Sequence, residues 1–409
     1  MNNNPTLLQI NVFANSGSHG KIAESIGCLV LEKGWRSIIA YGRVANLSKN
    51  ELVRIGSDFD IKEHVFETRF FDNHGLASRN ATRKFINQIE EIKPDIIHLH
   101  VIHGYYLNYK ILFDYLSSTN IPVVWTFHDT WAYTGHCGHY GLIRCEKWKT
   151  QCDDCLLKWR DYPRSIIDRS RKNFNLKKRL FTSVSNLHIV TVSQWLKKEV
   201  KDSFFKEKDV RVIPNGVDVD LFKPIEGFRL PLFDGKFVIL GVSAVWGPVK
   251  GLDDFIELAE LLDDDEIIVL VGVSDAQRKR LPHNVIGVNR TESVNQLVEL
   301  YNRADVTMSL SKAETFGLTI AESFACGTPA IVYDGTALPD LINEETGFVV
   351  QSGNFKDLKT AISIVKKKGK SYYSGKCREL AERDYNQRKS FSDYINLYEE
   401  LLHEKNSIS

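Results

Sequence analysis

The chain has 409 residues, of which 43% are hydrophobic, 26% charged and 11% aromatic, as in a folded protein of two or three domains. Its 53 lysines and arginines balance 52 aspartates and glutamates, so no global charge favours nucleic acid. The sequence has no run of about 18 apolar residues that could span a bilayer, and no signal-peptide pattern at its start. We therefore expect a cytoplasmic protein, at most peripheral on the inner face of the membrane.

Short apolar runs alternate with amphipathic segments through the first half of the chain. Helices are predicted at Ile22–Lys33, which Gly34 closes, and at Thr82–Glu91, which Pro94 stops. Strands are predicted at Leu7–Ala14, Ser37–Tyr41, Asp95–His100, Val123–Phe127 and Ile189–Ser193. This alternation predicts βαβ units and a parallel sheet.

The same pattern restarts after Pro214-Asn215-Gly216. Strands are predicted at Phe237–Val242, Ile267–Gly272, Val306–Ser309 and Ala330–Tyr333, with a helix at Leu252–Leu262. Phe222–Asp234 contains two prolines and a glycine and is predicted to link two domains. We expect an α/β protein with two doubly wound, Rossmann-like domains over 1–222 and 235–384, and a helix over about 385–405 that packs back on the first domain.

One region, about 130–163, does not follow this alternation of strands and helices and is rich in Cys, His, Trp and Gly. It contains four of the seven cysteines, namely Cys137, Cys145, Cys152 and Cys155. The last two have the spacing of a zinc knuckle, and the two upstream cysteines complete four ligands, with His136 and His139 as spare candidates. We hypothesise that a structural zinc ion stabilises this insertion, which has no hydrophobic core of its own. The alternatives are four reduced thiols or two disulfides.

Two glutamates enclose a loop and the start of a helix in the second half of the chain. Glu314 and Glu322 are separated by seven residues and follow the predicted strand Val306–Ser309. Gly317 allows close approach of the backbone to a ligand, and the amides at a helix start suit a diphosphate. The alternative is an ordinary turn with solvated glutamates, which the position at the carboxyl end of a strand disfavours.

The stretch Glu314–Glu322 resembles the E-x7-E motif of the retaining GT-B glycosyltransferases of family four, or group 1. The resemblance covers nearly the whole chain, because further stretches match in order: Gly17-Ser18-His19-Gly20, Val192-Ser193, Ile213–Asp218, Lys250-Gly251, Phe324–Ala330 and Gly347-Phe348. It is closest to the branch that makes colanic-acid-like bacterial surface polysaccharides, since Thr126-Phe127-His128-Asp129 is followed by Gly135-His136-Cys137.

This resemblance implies a GT-B fold, in which two Rossmann-like domains face a central cleft and the first carries the Cys-rich insertion. It implies transfer of a hexose, with retention, from a UDP- or GDP-linked sugar to a saccharide or lipid-linked acceptor. We expect a front-face mechanism, in which a donor phosphate oxygen accepts the acceptor's proton. No Asp-x-Asp motif is evident, so no cofactor is expected to be required for the chemistry.

The resemblance also implies roles for single residues. Glu314 is expected at the donor sugar, Glu322 at the ribose and Lys250 at the diphosphate. The acceptor-side candidates are His103 and Asp129, and the catalytic candidates are His128, Glu314 and Lys250. The donor-binding candidates are Gly17, Lys250, Glu314, Phe316, Gly317, Leu318 and Glu322.

The sequence departs from this family at one position. Many relatives carry an arginine five residues before the lysine, where this chain has Val245. One charge that would neutralise the diphosphate is therefore missing or comes from elsewhere. The neighbouring Trp246 is expected to pack.

Other functions fit the sequence less well. A GT-B nucleotide-sugar epimerase would need no acceptor, and a non-catalytic polysaccharide assembly partner would not need an intact glutamate pair. A dehydrogenase is disfavoured because Asn15–Gly20 has only two glycines of the dinucleotide fingerprint. The basic stretch Arg171–Arg179, with Lys172, Lys177 and Lys178, is either a lipid contact or a solvated helix face.

Overall fold

A computed structural model of the chain describes residues 4–160, 162–227 and 233–408. The chain forms two compact units. The first comprises residues up to Tyr140, Arg144–Ile213 and Phe391 onward, and the second comprises Gly141–Ile143 and Pro214–Ser390. The predicted linker Phe222–Asp234 includes residues 228–232, which lie outside the described part of the chain.

The first unit is built on a seven-stranded sheet in which every pairing is parallel. Its strands are β1 (Thr6–Ala14), β2 (Arg36–Ala45), β3 (Glu51–Arg54), β4 (Ile96–Leu99), β5 (Val123–Phe127), β6 (Leu187–Thr191) and β7 (Val210–Val212), in the order β3-β2-β1-β4-β5-β6-β7. Its helices are α1 (Gly17–Glu32), α2 (Asp58–Phe71), α3 (Arg79–Ile92), α4 (Tyr109–Leu116), α5 (Ser170–Thr182) and α6 (Gln194–Asp202).

The second unit repeats this arrangement with six parallel strands. They are β8 (Phe237–Val242), β9 (Glu266–Val271), β10 (Val285–Val288), β11 (Val306–Ser309), β12 (Ala330–Tyr333) and β13 (Gly347–Val350), in the order β10-β9-β8-β11-β12-β13. The helices are α7 (Leu252–Ala259), α8 (Asp275–Arg278), α9 (Val294–Arg303), α10 (Leu318–Ala325), α11 (Phe355–Lys368) and α12 (Lys370–Asp384). The interior strands are apolar and buried, as parallel strands covered on both faces must be.

The last helix, α13 (Gln387–Ile408), carries apolar side chains into the core of the first unit. Phe391, Tyr394 and Tyr398 are buried there with residues of β1, β4 and α1. The Tyr398 hydroxyl also lies 2.6 Å from Nδ1 of the buried His98 on β4. The C-terminal segment is therefore part of the first unit's core rather than an appendage.

Between β5 and α5 the described residues form only three short 3-10 turns, at Trp131–Tyr133, Gly141–Ile143 and Lys147–Lys149. Buried polar contacts hold this segment. The Lys177 ammonium on α5 donates to the carbonyls of Trp131 (2.7 Å) and Thr134 (3.1 Å). Among the described residues, no helix combines the length and apolar character needed to cross a bilayer.

Candidate active site

In the second unit, a tight turn brings Lys250 beside Glu314. Lys250 ends a 3-10 turn, and Gly251 follows it with a φ of 73°. A Cβ atom at Gly251 would lie 2.3 Å from the carbonyl oxygen of Leu310, so this turn packs directly on the segment after β11. Lys250 Nζ and Glu314 Oε1 form an ion pair, with side chains 33% and 24% exposed. The two charges are thus paired but accessible to a ligand.

The loop after β11 leads directly into the N-terminus of α10. Gly317 precedes the helix with a φ of 107°, and a Cβ atom there would lie 2.5 Å from Cδ2 of Leu338. The backbone N–H of Ala337 donates to the carbonyl of Glu314 at 3.0 Å, and the buried Phe316 ring contacts Tyr385. The helix begins at Leu318, because Phe316 and Gly317 form the turn before it. Its first backbone amides and the carboxylate of Glu314 therefore lie at the two ends of one short turn.

Glu322 lies on α10, where Tyr301 of α9 holds it. The Tyr301 hydroxyl donates to Glu322 Oε2 at 2.8 Å. Burial raises the pKa of Tyr301 well above its usual range, and the Glu322 carboxylate raises it further. The phenol therefore stays a donor at physiological pH and fixes the carboxylate. Sequence patterns gave no sign of Tyr301, because a Tyr on a preceding helix has no fixed spacing from this motif.

The position where relatives carry an arginine is an exposed loop in this chain. Val245 is 76% exposed. Trp246 next to it is buried, and its indole N–H donates to the carbonyl of Val271 at 2.8 Å. Trp246 packs in the interior, as expected. The side chain at position 245 carries no positive charge.

In the first unit, Gly17 opens α1 with a φ of 64°, and a histidine follows in the first turn. His19 Nδ1 lies 3.0 Å from Oδ1 of Asn11, and its ring stacks on Phe13. The ring centroid of His128 lies 6.1 Å away. The glycine loop and the residue after β5 therefore lie close together, as the parallel order β1-β4-β5 requires.

Hydrogen bonds fix the tautomer of His128. Gln9 Nε2 donates to the carbonyl of Ala23 at 2.8 Å, so Gln9 Oε1 faces His100 Nε2 at 3.0 Å. His100 Nε2 must therefore carry the proton, and His100 Nδ1 accepts from His128 Nε2 at 3.1 Å. This chain leaves Nδ1 as the acceptor nitrogen of His128.

A second chain of hydrogen bonds ends at Asp129. The Trp131 indole N–H donates to His74 Nδ1 at 3.1 Å, so His74 Nε2–H donates to the Tyr162 hydroxyl at 2.8 Å. Tyr162 Oη lies 3.4 Å from His103 Nδ1, and His103 Nε2–H donates to Asp129 Oδ2 at 2.7 Å. The backbone N–H of Trp131 donates to Asp129 Oδ1 at 2.9 Å. Of these five residues, the sequence indicated only His103 and Asp129.

These environments set opposite charge states. Burial lowers the pKa of His100 and of His128 well below the ordinary value. His98 and His19 lower the pKa of His100 further, and His100 and His19 lower the pKa of His128 further. Burial by itself would raise the pKa of Asp129, but the His103 ring and the Trp131 amide outweigh it and hold that pKa well below its usual range. At neutral pH the site therefore contains a neutral His128 beside an ionised Asp129.

The four clustered cysteines lie near one another without forming a compact metal cage. Among the described residues, the one group of three or more possible ligands within 4.8 Å is Asp263, Asp265 and Glu266, which form ion pairs with Lys359 and Lys366. The hydrogen bond with Cys137 lowers the pKa of Cys155 to about 7. The zinc site stays a prediction.

The basic stretch Arg171–Arg179 is not uniformly exposed. Lys172 and Lys178 face solvent, but Lys177 is 1% exposed, and burial lowers its pKa to about 7. Lys177 is therefore unable to contact lipid, because its ammonium is already bound by two backbone carbonyls.

Profiles of known protein families match both halves of the chain. The profile of Glycosyltransferase Family 4 matches residues 32–221, and that of Glycosyl transferases group 1 matches residues 222–387. The chain belongs to the group 1 glycosyltransferases. Both candidate clusters of this enzyme, around His128 and around Glu314, lie inside the matched ranges.

Three similar proteins span the whole enzyme. The putative colanic acid biosynthesis glycosyl transferase WcaC of Escherichia coli K12 is 21% identical over 97% of this chain and 100% of its own. Sucrose-phosphate synthase of Thermosynechococcus elongatus superposes with a TM-score of 0.73 at 18% identity, covering 98% of this chain and 99% of its own. Anabaena HepE in complex with UDP-glucose superposes with a TM-score of 0.64 at 15% identity, covering 97% of this chain and 99% of its own. The fold is GT-B, with two parallel-sheet α/β domains.

Proposed function

We propose that this glycosyltransferase moves a hexose, with retention, from a UDP- or GDP-linked sugar to a saccharide or lipid-linked acceptor in bacterial surface polysaccharide biosynthesis. One observation carries the proposal: an accessible Lys250–Glu314 ion pair adjoins the N-terminus of α10. A cation, a carboxylate and helix-start amides in one loop match the diphosphate and hydroxyl groups of a sugar nucleotide. The name of WcaC supports a role in surface polysaccharide biosynthesis, and the HepE complex supports a nucleotide-sugar donor.

On donor binding, the ion pair separates in this proposal. The Lys250 ammonium turns to the diphosphate, where it stabilises the charge that develops on the leaving group. Glu314 then accepts hydrogen bonds from hydroxyl groups of the sugar. Glu322, held by Tyr301, accepts hydrogen bonds from hydroxyl groups of the ribose. Phe316, Gly317 and Leu318 contribute backbone amides to the same donor, and Gly17 stays a donor-binding candidate from the family resemblance.

The first unit supplies the remaining groups. Neutral His128 contacts the donor sugar near the reaction centre in this proposal. Asp129 is ionised and doubly hydrogen-bonded, so His103 and Asp129 together form a fixed acceptor-side anchor. The acceptor's proton passes to a donor phosphate oxygen, and no protein carboxylate acts as nucleophile. Catalysis then consists of positioning and leaving-group electrostatics.

The test is a screen of UDP- and GDP-sugars by ligand-induced melting shift, followed by three variants. A donor at 100 times its Kd should stabilise its binding unit by about 2.7 kcal/mol. Lys250→Met and Glu314→Gln should each lose most of this shift, whereas Lys367→Met, an exposed lysine at the end of α11, should retain it. A Glu314→Gln variant with the full shift would place the donor elsewhere.

Product analysis separates the alternatives. NMR of the product should show the anomeric configuration of the donor, and an inverted product would exclude the front-face mechanism. An epimerase would interconvert the donor without acceptor. A non-catalytic assembly partner would bind a saccharide and leave every donor intact.

A further inference from the structure

Lys370, the first residue of α12, binds the end of α9. Its ammonium lies 2.7 Å from the carbonyl oxygen of Asn302 and 2.9 Å from that of Ala304. A third carbonyl, that of Tyr301, lies 3.1 Å from the same ammonium. Carbonyls at the end of a helix have no partner within it, and a cation there also meets the negative end of the helix dipole. Lys370 therefore caps the C-terminus of α9.

Lys370 differs from the half-buried lysines of α11 in having no acidic partner. Lys359 and Lys366 both pair with Glu266. Lys370 is also half-buried, but within the described part of the chain it forms no ion pair. Burial lowers its pKa to about 8, and the charge of Asp305 offsets part of this effect. The three carbonyls of α9 are therefore the groups that hold this ammonium in place.

Tyr301 is held from a second side by the turn after α10. The Thr328 hydroxyl donates to the Tyr301 carbonyl at 2.7 Å. Thr328 is itself tied to α10, because its backbone N–H donates to the carbonyl of Ser323 at 3.0 Å and its carbonyl accepts from Ser323 Oγ at 2.9 Å. The Tyr301 side chain is fully buried. The backbone and ring of Tyr301 are thus fixed between α10 and α12.

The far end of the Tyr301 ring reaches Glu322. The hydroxyl donates to Glu322 Oε2 at 2.8 Å, and the glutamate is half-buried on α10. A hydrogen bond fixes the direction of a carboxylate only as well as the donor itself is fixed, because its strength depends steeply on distance and angle. The position of Lys370 is therefore transmitted through Tyr301 to the carboxylate of Glu322.

We propose that Lys370 is a positioning residue for ribose recognition: by capping α9 it fixes Tyr301, and Tyr301 fixes Glu322. This inference rests on the proposed function, in which Glu322 accepts hydrogen bonds from the ribose hydroxyls. A carboxylate held in one direction discriminates against a sugar that lacks a hydroxyl, because the unmade hydrogen bond leaves a charged group unsatisfied. A loosened carboxylate still allows nucleotide binding but discriminates less. Lys370 itself contacts no group of the nucleotide.

The test is calorimetric titration of the full-length enzyme with UDP and GDP and with their 2′-deoxy and 3′-deoxy analogues. We expect the wild type to bind the ribonucleotide that it prefers about tenfold more tightly than a deoxy analogue of it. Lys370→Met and Tyr301→Phe should each lower this ratio to about threefold or less, mainly by weakening the binding of the ribonucleotide. The matched control is Lys366→Met, which removes a half-buried lysine of α11 and should keep the full ratio.

A double variant decides whether Lys370 acts through Tyr301. Because both changes act on the same carboxylate, Tyr301→Phe/Lys370→Met should have the ratio of Tyr301→Phe alone. A further fall in the double variant, or a full ratio in Lys370→Met, would overturn the proposal. If Lys370→Met fails to fold, Thr328→Val removes the other donor to the same carbonyl and should lower the ratio; an unchanged ratio there would also contradict the positioning role.

Glu322→Gln separates this inference from the proposed function. Loss of the ribose preference in this variant would show that the carboxylate reads the ribose, and the behaviour of Lys370→Met then decides the positioning role by itself. A wild type with no ribose preference, or a Glu322→Gln variant that keeps it, would refute the proposed role of Glu322 and this inference with it.

Discussion

His64 of α2 is buried with both ring nitrogens engaged. The Gly75 N–H donates to its Nε2 at 2.9 Å, so Nδ1 carries the proton and faces Ser78 Oγ at 2.8 Å. Burial lowers its pKa from 6.5 to about 3. Below about pH 6.5 this histidine is protonated in the unfolded chain but stays neutral in the folded chain. The free energy of unfolding should therefore decrease as the pH falls from about 6.5 toward 3. The slope from this group is at most about 1.4 kcal/mol per pH unit.

The measurement is the free energy of urea unfolding of the first unit between pH 7.5 and pH 5. His64→Gln keeps a hydrogen-bond donor and an acceptor but has no titrating group. We expect this variant to lose less unfolding free energy at acidic pH than the wild type, so that the acid limb of its stability curve is flatter. His403→Gln, at an exposed position of α13, should leave the limb unchanged. Parallel curves for wild type and His64→Gln would contradict the argument.

Val245 offers a gain-of-function test at a single residue. An arginine at this exposed position should add a charge near the proposed diphosphate and tighten donor binding by about fivefold, discounted for solvent screening. Calorimetric titration with the donor measures it. Leu261→Arg, at a residue 46% exposed beyond α7, is the control. An equal gain in both variants would indicate nonspecific attraction, and no gain would place the diphosphate away from residue 245.

Local sequence motifs made some site residues predictable, but they did not reveal the hydrogen-bond partners of those residues. Glu314 and Gly317 lie in one short stretch whose spacing is visible in the sequence. Tyr301 and Tyr162 come from other elements, and their contacts depend on how helices and loops pack. His100 shows the same limit, because a buried histidine next to a strand end has no pattern that reveals its hydrogen-bond partner.

At the scale of elements, the turn before α10 depends on a glycine. Gly317→Ala combines a φ of 107° with a Cβ that would meet Leu338 at 2.5 Å, so we expect a loss of about 1–3 kcal/mol and a weaker donor-induced shift. Gly375→Ala on α12 meets nothing within 4 Å and should be neutral or up to about 1 kcal/mol stabilising. Thermal melting with and without donor measures both. A Gly317→Ala protein that melts and binds like wild type would refute the proposed role of this turn.

The segment between β5 and α5 carries the zinc prediction. His136 Nε2 is buried with no hydrogen-bond partner among the described residues, while Nδ1 binds Asp72 at 2.7 Å, an arrangement that suits a metal ligand supported by a carboxylate. We expect about one zinc per chain by elemental analysis, lost in Cys152→Ser and retained in Cys28→Ser. Removal by a chelator should lower the melting temperature of the first unit. A protein purified without zinc, and insensitive to chelator, would leave reduced thiols as the alternative.

The strands that the sequence did not predict share one physical property. β3, β7, β10 and β13 are the outermost strands of their sheets. An edge strand has a single neighbour and an exposed face, as the sequence Glu51–Arg54 shows, so it lacks the continuous apolar run of an interior strand. The predicted interior strands differ from the structure by a few residues at their ends. α1 begins at Gly17, earlier than predicted, because its first turn is polar and glycine-rich.

At the scale of the whole molecule, the chain leaves the first unit after Ile213 and returns to it at Phe391. The first unit is therefore built from segments near both ends of the sequence. Surface ion pairs such as Arg211–Glu400 add little, since they are exposed. The buried aromatic residues of α13 supply most of the attachment.

Truncation after residue 386 tests this dependence. Removing α13 would strip Phe391, Tyr394, Ile395, Tyr398 and Leu401 from the core and leave His98 without its tyrosine. Each such side chain contributes about 1.5–3 kcal/mol, and their sum reaches the whole stability of a typical domain of about 5–15 kcal/mol. We therefore expect the truncated chain to aggregate, whereas truncation after Leu402 should remain soluble and melt near the wild type. A soluble first unit in the shorter chain, with unchanged protease resistance, would show that α13 is dispensable.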